Sequence, residues 1–370
     1  MIRKRIKHLC LIIITLCTGM NSFAQKYHSD NLITAASLDK YKAIGVSVNS
    51  NNRLFVSFPK ANDDYQYGLT EIVNGERVPY PNIEWNKKGD EANHFVNVQD
   101  LFVDANDFLW VLDSKPAPYA SIFGSTEKET EGQFKLLKIN TKTNKVERIY
   151  TFDDLDKKTS GLNDIRVDVK KNKAYFSDPG QAAIIVLDLN SGKTRKVLEK
   201  TQFTLADPSI VLSYDGIEMK DKDGKPFLSN VNGIALTHDF KYFYFKPINK
   251  NQLFRIETKY LVDETLSAEA LEKKVENMGD VGITHGLIAD KKGNIYLTTS
   301  LNSTIKYLSP DGKLHTLIQD SRLIWPDSLG IGTDGYLYFS CAQLPRDPKW
   351  NDGENRVELP YRIFKVKLPQ

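Results

Sequence analysis

Cysteine is scarce in this chain of 370 residues, which contains three. Cys10 and Cys17 lie within the first 24 residues, so Cys341 is alone in the remainder. An intramolecular disulfide is therefore excluded for residues 25–370, and their stability must come from buried apolar surface. The chain is 41% hydrophobic and is long enough to bury a large core.

Long apolar runs are missing as well, since no stretch approaches the roughly 20 residues that a membrane-spanning helix needs. The apolar run over residues 9–16 follows four basic residues and precedes a small-residue site at residues 22–24. This pattern predicts a signal peptide over residues 1–24, with cleavage before Gln25. We therefore expect an exported protein, periplasmic or secreted, with no transmembrane segment.

A large surplus of one charge sign is also missing, because the formal net charge of the whole chain is +3. Residues 1–24 hold four basic and no acidic residues, so the remainder has a formal charge of −1 (3 minus 4). No later stretch gives the clustered Lys/Arg face that nucleic acids require. We expect no nucleic-acid partner, and the sequence carries no pattern that fixes an oligomeric state.

Six similar segments follow one another along residues 25–370. Each has an alternating strand, a turn rich in Asp, Asn, Gly and Lys, and a second strand centred on an aromatic residue. The spacing leaves room for two further strands after each copy. A β-sandwich would explain the alternation but not this fixed order, so the repeat predicts one all-β domain, a six-bladed β-propeller with four-stranded blades around a central channel. The aromatic residues are Phe55, Trp110, Tyr175, Phe243, Tyr296 and Tyr338.

Two smaller elements are predicted around the blades. A strand near residues 32–35 is expected to complete the last blade and close the ring. A helix is expected over "SAEALEKKVENMG", with Ser267 as N-cap, Val275 and Met278 on its apolar face and Gly279 as its end. We expect this helix to be an insertion between blades.

The residue just before the first strand of each blade is expected to lie at one mouth of the channel. Turn chemistry alone explains any single polar residue there, because Asn and Asp bond to nearby backbone. Five polar members out of six favour a ring that faces a ligand. The six positions are Ile44, Gln99, Asn163, Asn232, His285 and Asp327.

The position after the ring carries Asp100 and Asp164 in two blades. Since adjacent strand residues point to opposite faces, we expect these aspartates to tie neighbouring blades together. Cys341 is expected to be a buried small hydrophobe.

Several stretches resemble the yellow/major royal jelly protein family. They are "VNVQDLFVDANDFLWVLDS" (96–114), "LNDIRVDVKKNKAYFSDPGQAAIIVLDLNSGK" (162–193), "NGIALTHDFKYFYFKPINKNQLFRIET" (232–258) and "VPYPNIEWN" (78–86). The resemblance implies a secreted six-bladed propeller related to L-dopachrome tautomerases, a family also associated with amine binding in the central cavity. The chain lacks the paired cysteines that are common in the insect members.

A more distant similarity links the chain to the gluconolactonase and senescence-marker propellers. Asn163 and Asn232 precede strands as in that pattern, and Pro326-Asp327-Ser328 approaches its Pro-Asp-Gly phrase. The similarity implies lactone hydrolysis at a divalent cation such as Ca²⁺, held by Asn163, Asn232 and Asp327. The chain departs from the pattern at Ile44, where a glutamate is expected.

Two classes of function follow for a small-molecule ligand in the channel. The first class is an enzyme. As an isomerase, the chain would use His285 and Asp327 as catalytic base and acid; as a lactonase, it would use the cation. The residues expected to contact the substrate are Gln99, Asn163, Asn232 and Glu218.

The other class is a non-catalytic binding protein with the same ring. Aromatic residues of the long blade-one loop would then cover the ligand, or else simply pack against the blade. They are Tyr65, Tyr67, Tyr80 and Trp85.

Overall fold

The computed structural model describes residues 27–59, 66–114 and 134–369. The predicted signal peptide and Tyr65 lie outside these residues. Six four-stranded antiparallel sheets confirm the six-bladed propeller. Its alternating aromatic and β-branched segments form the strands, and Asp, Asn and Gly occupy the turns between them.

The first half of the chain forms the edge strand of the last blade and then three complete blades. The edge strand is β1 (Ile33–Ser37). Blade one is β2 (Val46–Val48), β3 (Leu54–Ser57), β4 (Leu69–Val73) and β5 (Glu76–Pro79). Blade two is β6 (Val98–Val103), β7 (Phe108–Asp113), β8 (Lys135–Asn140) and β9 (Lys145–Tyr150). Blade three is β10 (Ile165–Asp168), β11 (Lys173–Asp178), β12 (Ala183–Asp188) and β13 (Thr194–Val197).

The second half begins with a short hairpin, β14 (Ser213–Tyr214) and β15 (Ile217–Glu218). Blade four is β16 (Val231–Leu236), β17 (Tyr242–Pro247), β18 (Gln252–Glu257) and β19 (Glu276–Asp280), with helices α1 (Thr258–Leu261) and α2 (Ala268–Glu272) before β19. Blade five is β20 (Leu287–Ala289), β21 (Ile295–Thr299), β22 (Thr304–Leu308) and β23 (Leu314–Gln319). Blade six is β24 (Pro326–Ile331), β25 (Tyr336–Cys341), β26 (Arg362–Lys367) and β1.

The first strands of the six blades form a closed ring around the channel. Each of β2, β6, β10, β16, β20 and β24 contacts the next, and β24 contacts β2 again. The strand predicted near residues 32–35 is β1, which pairs antiparallel with β26, for example at Ile33 and Lys365. The amino-terminal strand therefore joins the last blade to the first, as predicted.

Hydrophobic clusters fill all six interfaces between neighbouring blades. The aromatic residue of the second strand contributes to them in most blades, as Phe55, Tyr175 and Tyr296 show. Cys341 is buried in the interface between blades five and six, in agreement with the expectation for this residue. The interior of the propeller is thus a series of apolar wedges between neighbouring blades.

The predicted long helix is wrong over its second half. Ser267 does cap a helix, because its Oγ accepts a hydrogen bond from the Ala270 N–H at 3.2 Å, but the helix ends at Glu272. Residues 276–280 instead form β19, which pairs with β18. The insertion therefore lies within blade four rather than between blades, because the sheet's need for a fourth strand outweighs helix propensity. None of the helices in the described part of the chain is long and apolar enough to span a bilayer.

Candidate functional site

The six predicted ring residues lie at the end of the channel where the first strand of each blade begins. Glycine follows the ring position in blades four and five, because the backbone of the next blade approaches closely there. A side chain at Gly233 would collide with the His285 carbonyl, and one at Gly286 with the Asp327 carbonyl. The tight packing of the ring explains why these two positions carry no side chain.

The side of the ring formed by blades two and three is a chain of hydrogen bonds. Gln99 Nε2 donates to Asn163 Oδ1 at 3.0 Å, and Asn163 Nδ2 donates to Asp164 Oδ1 at 2.8 Å. Gln99 is buried and Asn163 is half-buried. The structure therefore brings these two predicted site residues into direct contact.

Just below the ring, Asp100 links three blades. Its Oδ2 accepts from the Ile165 N–H at 3.0 Å and from Arg166 Nη1 at 3.2 Å, and its Oδ1 accepts from Ser328 Oγ at 3.3 Å. Asp164 likewise accepts a backbone hydrogen bond from Ile234 in blade four. These contacts between blades are of the kind expected for the two aspartates.

On the opposite side of the ring, the Trp325 indole contacts two predicted catalytic residues. The His285 imidazole stacks on Trp325 with 3.7 Å between ring centroids. The Trp325 Nε1–H donates to Asp327 Oδ2 at 3.0 Å. The Tyr214 hydroxyl lies 3.5 Å from His285 Nε2, and His285 Nδ1 has no hydrogen-bond partner among the described residues.

The surroundings of these two groups favour uncharged forms. Burial raises the pKa of the Asp327 carboxyl to about 7; the Trp325 bond opposes this rise and the charge of Asp100 adds to it. Burial, and then the charge of Lys246, lower the pKa of His285 well below its usual value. Near neutral pH the site holds a neutral imidazole beside a carboxyl group that is about half protonated.

The remaining predicted ring and loop residues take other places. Asn232 is buried and donates to Ser229 Oγ at 3.4 Å. Ile44 is buried in an apolar cluster at the channel mouth. Glu218 is exposed and forms an ion pair with Lys220, so the structure does not bring it into the ring.

An aromatic cluster covers part of the mouth, and we call it the mouth cluster. It combines residues from blades one, four, five and six with the loop before blade four, which packs Phe227 against Trp325 at 5.4 Å between centroids. By contrast, Tyr80 packs on Phe55 and Trp85 on Phe95, within the interface of blades one and two. The mouth cluster is Ile44, Leu212, Met219, Phe227, Ile248, Ile283, Trp325, Ala342, Leu344 and Trp350.

Lys246 is a site residue that the sequence analysis missed. The second strand of every blade has one position opposite the residue that follows the ring position. Four blades place a hydroxyl group there, blade two places a leucine, and blade four places this lysine. The six occupants are Ser57, Leu112, Ser177, Lys246, Thr298 and Ser340.

The hydroxyl groups at this position bond to backbone of the inner strands. Ser57 Oγ accepts from the Gly45 N–H at 2.8 Å, and Thr298 Oγ1 accepts from the Gly286 N–H at 2.8 Å. Ser340 Oγ donates to the Ile44 carbonyl at 2.7 Å. The Lys246 side chain is fully buried, and its Nζ donates to the Pro247 carbonyl at 3.1 Å.

The predicted metal ligands fit a divalent cation poorly. Asn163 Oδ1 already accepts from Gln99, Asp327 Oδ2 already accepts from Trp325, and Ile44 offers no side-chain oxygen. The described residues also contain no group of three or more His, Cys, Asp and Glu side chains arranged for a metal ion. No chemical step at the ring is therefore assigned to a metal ion.

A cavity of about 340 Å³ lies at the other end of the channel. Two of the carboxylates that line it already accept hydrogen bonds from nearby groups. Asp104 accepts from the Asn106 N–H and from Trp110 Nε1, and Asp290 accepts from the Asn294 N–H and from Tyr296 OH. We place the candidate site at the ring because its titratable groups are the less fully bonded ones.

Two curated relatives and two solved structures are similar to this chain. Protein yellow of Drosophila yakuba and protein yellow of Drosophila melanogaster are each 26% identical over 303 residues, which is 75% of this chain and 50% of the relative. The chain thus spans about half the length of these relatives. A luciferin-regenerating enzyme has a TM-score of 0.53 at 13% identity, covering 91% of this chain and 94% of its own. A gluconolactonase from Xanthomonas campestris has a TM-score of 0.55 at 10% identity, covering 91% and 89%.

The two structural similarities show the propeller fold, and the family follows from the sequence. The family described as "Major royal jelly protein" matches residues 96–348, which include blades two to five and two of the four strands of blade six. The match takes in five of the six ring positions. The chain belongs to the major royal jelly protein family.

Proposed function

We propose that this chain binds a small cyclic or aromatic molecule at the ring and isomerises it by moving a proton between His285 and Asp327. The observation that carries this proposal is the shared indole. Trp325 contacts the imidazole through its face and the carboxyl group through its N–H, so one small molecule can contact both groups. A base and an acid held on one rigid side chain suit a reaction that removes a proton and returns it elsewhere.

The protonation states support this division of roles. A neutral imidazole can accept a proton, and a carboxyl group with a pKa of about 7 can donate one near neutral pH. His285 Nδ1 is the available nitrogen, because Nε2 faces Tyr214. His285 Nδ1 would take a proton from a C–H bond next to a carbonyl or imine group, and Asp327 would protonate a second atom of the same conjugated system. Exchange with water would then remove the proton from His285 and return one to Asp327, which completes the cycle.

The amides on the other side of the ring would orient the substrate. Gln99 and Asn163 keep oxygen and N–H groups beyond the one bond that joins them, and Asn232 adds another amide. The amide-rich ring and the aromatic mouth cluster suit a flat, conjugated molecule rather than a highly charged one. His285 itself is only 1% exposed, so neighbouring side chains must move before the substrate can reach Nδ1.

The test is the isomerisation of L-dopachrome, followed as the loss of its colour relative to the spontaneous reaction. We expect catalysis that declines above about pH 7, because Asp327 then loses its proton. His285→Gln and Asp327→Asn should each lower the rate at least about 100-fold. The exposed Glu84→Gln variant is the matched control and should keep the wild-type rate.

Three outcomes would contradict this proposal. Full activity in both ring variants would exclude the acid–base pair. Binding of an aromatic amine, measured by calorimetry, without any turnover would favour a non-catalytic binding protein. A Ca²⁺-dependent rise in melting temperature that Asp327→Asn abolishes, together with lactone hydrolysis, would favour the lactonase alternative.

We also propose that the protein works outside the cytoplasm, on the basis of the predicted signal peptide over residues 1–24. Amino-terminal sequencing of protein recovered from the periplasm or the medium should begin at Gln25. Recovery only from the cytoplasm with Met1 retained would contradict export.

A further inference from the structure

Lys246 is a buried amine that lacks a counter-ion. No carboxylate in the described part of the chain forms an ion pair with it, and Asp280 acts on it only through longer-range charge. Its single hydrogen bond to a described residue is to the Pro247 carbonyl. A buried ammonium group with so little compensation is costly, so the folded chain favours the neutral amine, whose nitrogen carries a lone pair.

The surroundings of Lys246 are those of the channel mouth. Ile248, two residues further along, belongs to the mouth cluster. The charge of Lys246 acts directly on His285, whose Nδ1 is buried without a partner among the described residues. The amine of Lys246 thus lies on the strand that leads to Ile248 of the mouth cluster, within electrostatic range of His285.

The position of Lys246 in the repeat strengthens this reading. A hydroxyl group satisfies the same position in four other blades by bonding to backbone. A serine or threonine would therefore satisfy the backbone at this position of blade four, whereas Lys246 fills it with a longer, basic side chain that is fully buried. Lysines that are desolvated in apolar pockets are the activated amines that form imines with carbonyl compounds.

We propose that Lys246 is an imine-forming amine, which condenses with an aldehyde or ketone that binds at the channel mouth. This inference is independent of the isomerisation proposed above, since it requires neither Asp327 nor turnover. It identifies a carbonyl group as the feature by which the site can hold a ligand covalently.

The condensation balances without an oxidant or a reductant. The Nζ lone pair forms a bond to the carbonyl carbon while the C=O π bond breaks, and the oxygen takes up a proton. Nitrogen then gives up its two protons, and the hydroxyl group takes up a second proton and leaves as water, so the two protons that nitrogen loses equal the two that oxygen gains. The product is a C=N bond, and addition of water reverses the sequence.

Reductive trapping tests this proposal directly. The folded protein is incubated with benzaldehyde and sodium cyanoborohydride at pH 7.5, and the labelled lysine is located by proteolysis and mass spectrometry. We expect labelling at Lys246 at least about tenfold faster than at Lys250, because an amine with a pKa of about 7 is largely unprotonated at this pH. Protein unfolded in urea should label both lysines equally, which shows that both peptides are detected.

Lys246→Ser is the matched variant, because it installs the side chain that three other blades have at this position. It should fold, as judged by its melting temperature, and should lose the preferred label. Lys250→Ser should retain the label. Labelling of Lys246 in the folded protein no faster than of Lys250, with normal labelling of both in urea, would overturn the proposal.

Discussion

Blades two and four each bury a lysine, but the two lysines have very different partners. In blade two, Lys135 lies 2.7 Å from Asp113 Oδ2 and also donates to the carbonyls of Glu91 and His94. In blade four, Lys246 donates to the Pro247 carbonyl and has no other hydrogen-bond partner within residues 27–59, 66–114 and 134–369. Both side chains are almost completely shielded from solvent.

The difference separates a structural charge from a reactive one. The ion pair of Lys135 and Asp113 anchors the loop before blade two, because Asp113 also accepts from the N–H groups of Val96 and Asn97. Among the described residues Lys246 bonds to no loop other than its own neighbour Pro247, and its charge acts on His285. Strongly perturbed groups that lack a structural task are the ones expected at functional sites.

The largest expected effect is that of Lys246→Met on stability. Burial lowers the pKa of Lys246 to about 7, so in the wild type the folded state loses stability as the pH falls from the unfolded value of 10.5 towards 7. The methionine variant does not lose this stability, because methionine has no titratable group. It should gain up to about 5 kcal/mol in the free energy of unfolding near pH 7, and the gain should vanish near pH 10.5.

Urea unfolding of both proteins across this pH range measures the gain. The pH dependence is the internal control, because better apolar packing alone would stabilise the variant equally at every pH. A loss of stability at pH 7 would show that Lys246 has structural bonds comparable with those of Lys135.

Lys135→Met should change the free energy of unfolding in the opposite direction. It leaves the Asp113 carboxylate buried without its cation, which typically costs about 3–5 kcal/mol. The melting temperature of this variant should fall at neutral pH, while that of Lys246→Met rises. Equal and same-signed shifts in the two variants would remove the distinction between the two blades.

Asp327→Asn extends the comparison to an acidic group of the mouth. Burial raises the pKa of Asp327 to about 7, so the wild type is fully stable with respect to this group below the unfolded pKa of 3.8 and loses stability as the pH rises to 7. The asparagine variant should therefore gain up to about 4 kcal/mol between pH 4 and pH 7, with a plateau above. Thermal unfolding at pH 4, 5.5, 7 and 8.5 measures this curve, and a gain that is independent of pH would contradict the shift.

The sequence predicted the architecture because a propeller repeats its signals. Each copy carries the same strand, turn and strand, so even the closing strand β1 could be placed. The prediction of the helix was wrong over its second half because a single insertion has no second copy against which to compare it. Its residues 276–280 were needed as the outer strand of blade four.

The site was predictable only as far as the repeat reached. The symmetry of the repeat predicted which residues form the ring. Trp325 and Tyr214 come from connections that differ between blades, so the repeat could not predict them. Lys246 was missed because the turn of blade four is one residue longer than in most blades. This length makes Tyr244, which pairs with Ala235, the equivalent of the other aromatics, whereas the alignment used Phe243.

The smallest expected effect concerns the hydroxyl position itself. Ser57→Ala would leave the buried Gly45 N–H without the Oγ that it bonds at 2.8 Å, at a cost of about 1–2 kcal/mol. The Ser57 Oγ also donates to the Gln99 carbonyl, so the variant loosens the contact between blades one and two. Thermal unfolding should show a small decrease at every pH, because no titratable group is involved.

Lys246→Ser provides the counterpart of this measurement in blade four. If the position serves only the architecture, removing the hydroxyl in blade one and restoring it in blade four should give small effects of opposite sign. If Lys246 is the reactive amine of the mouth, its replacement should instead give a gain that depends on pH, since a buried and weakly bonded amine is removed. A gain from Lys246→Ser that is small and constant between pH 6 and pH 10 would make this lysine one more structural variant of the repeat.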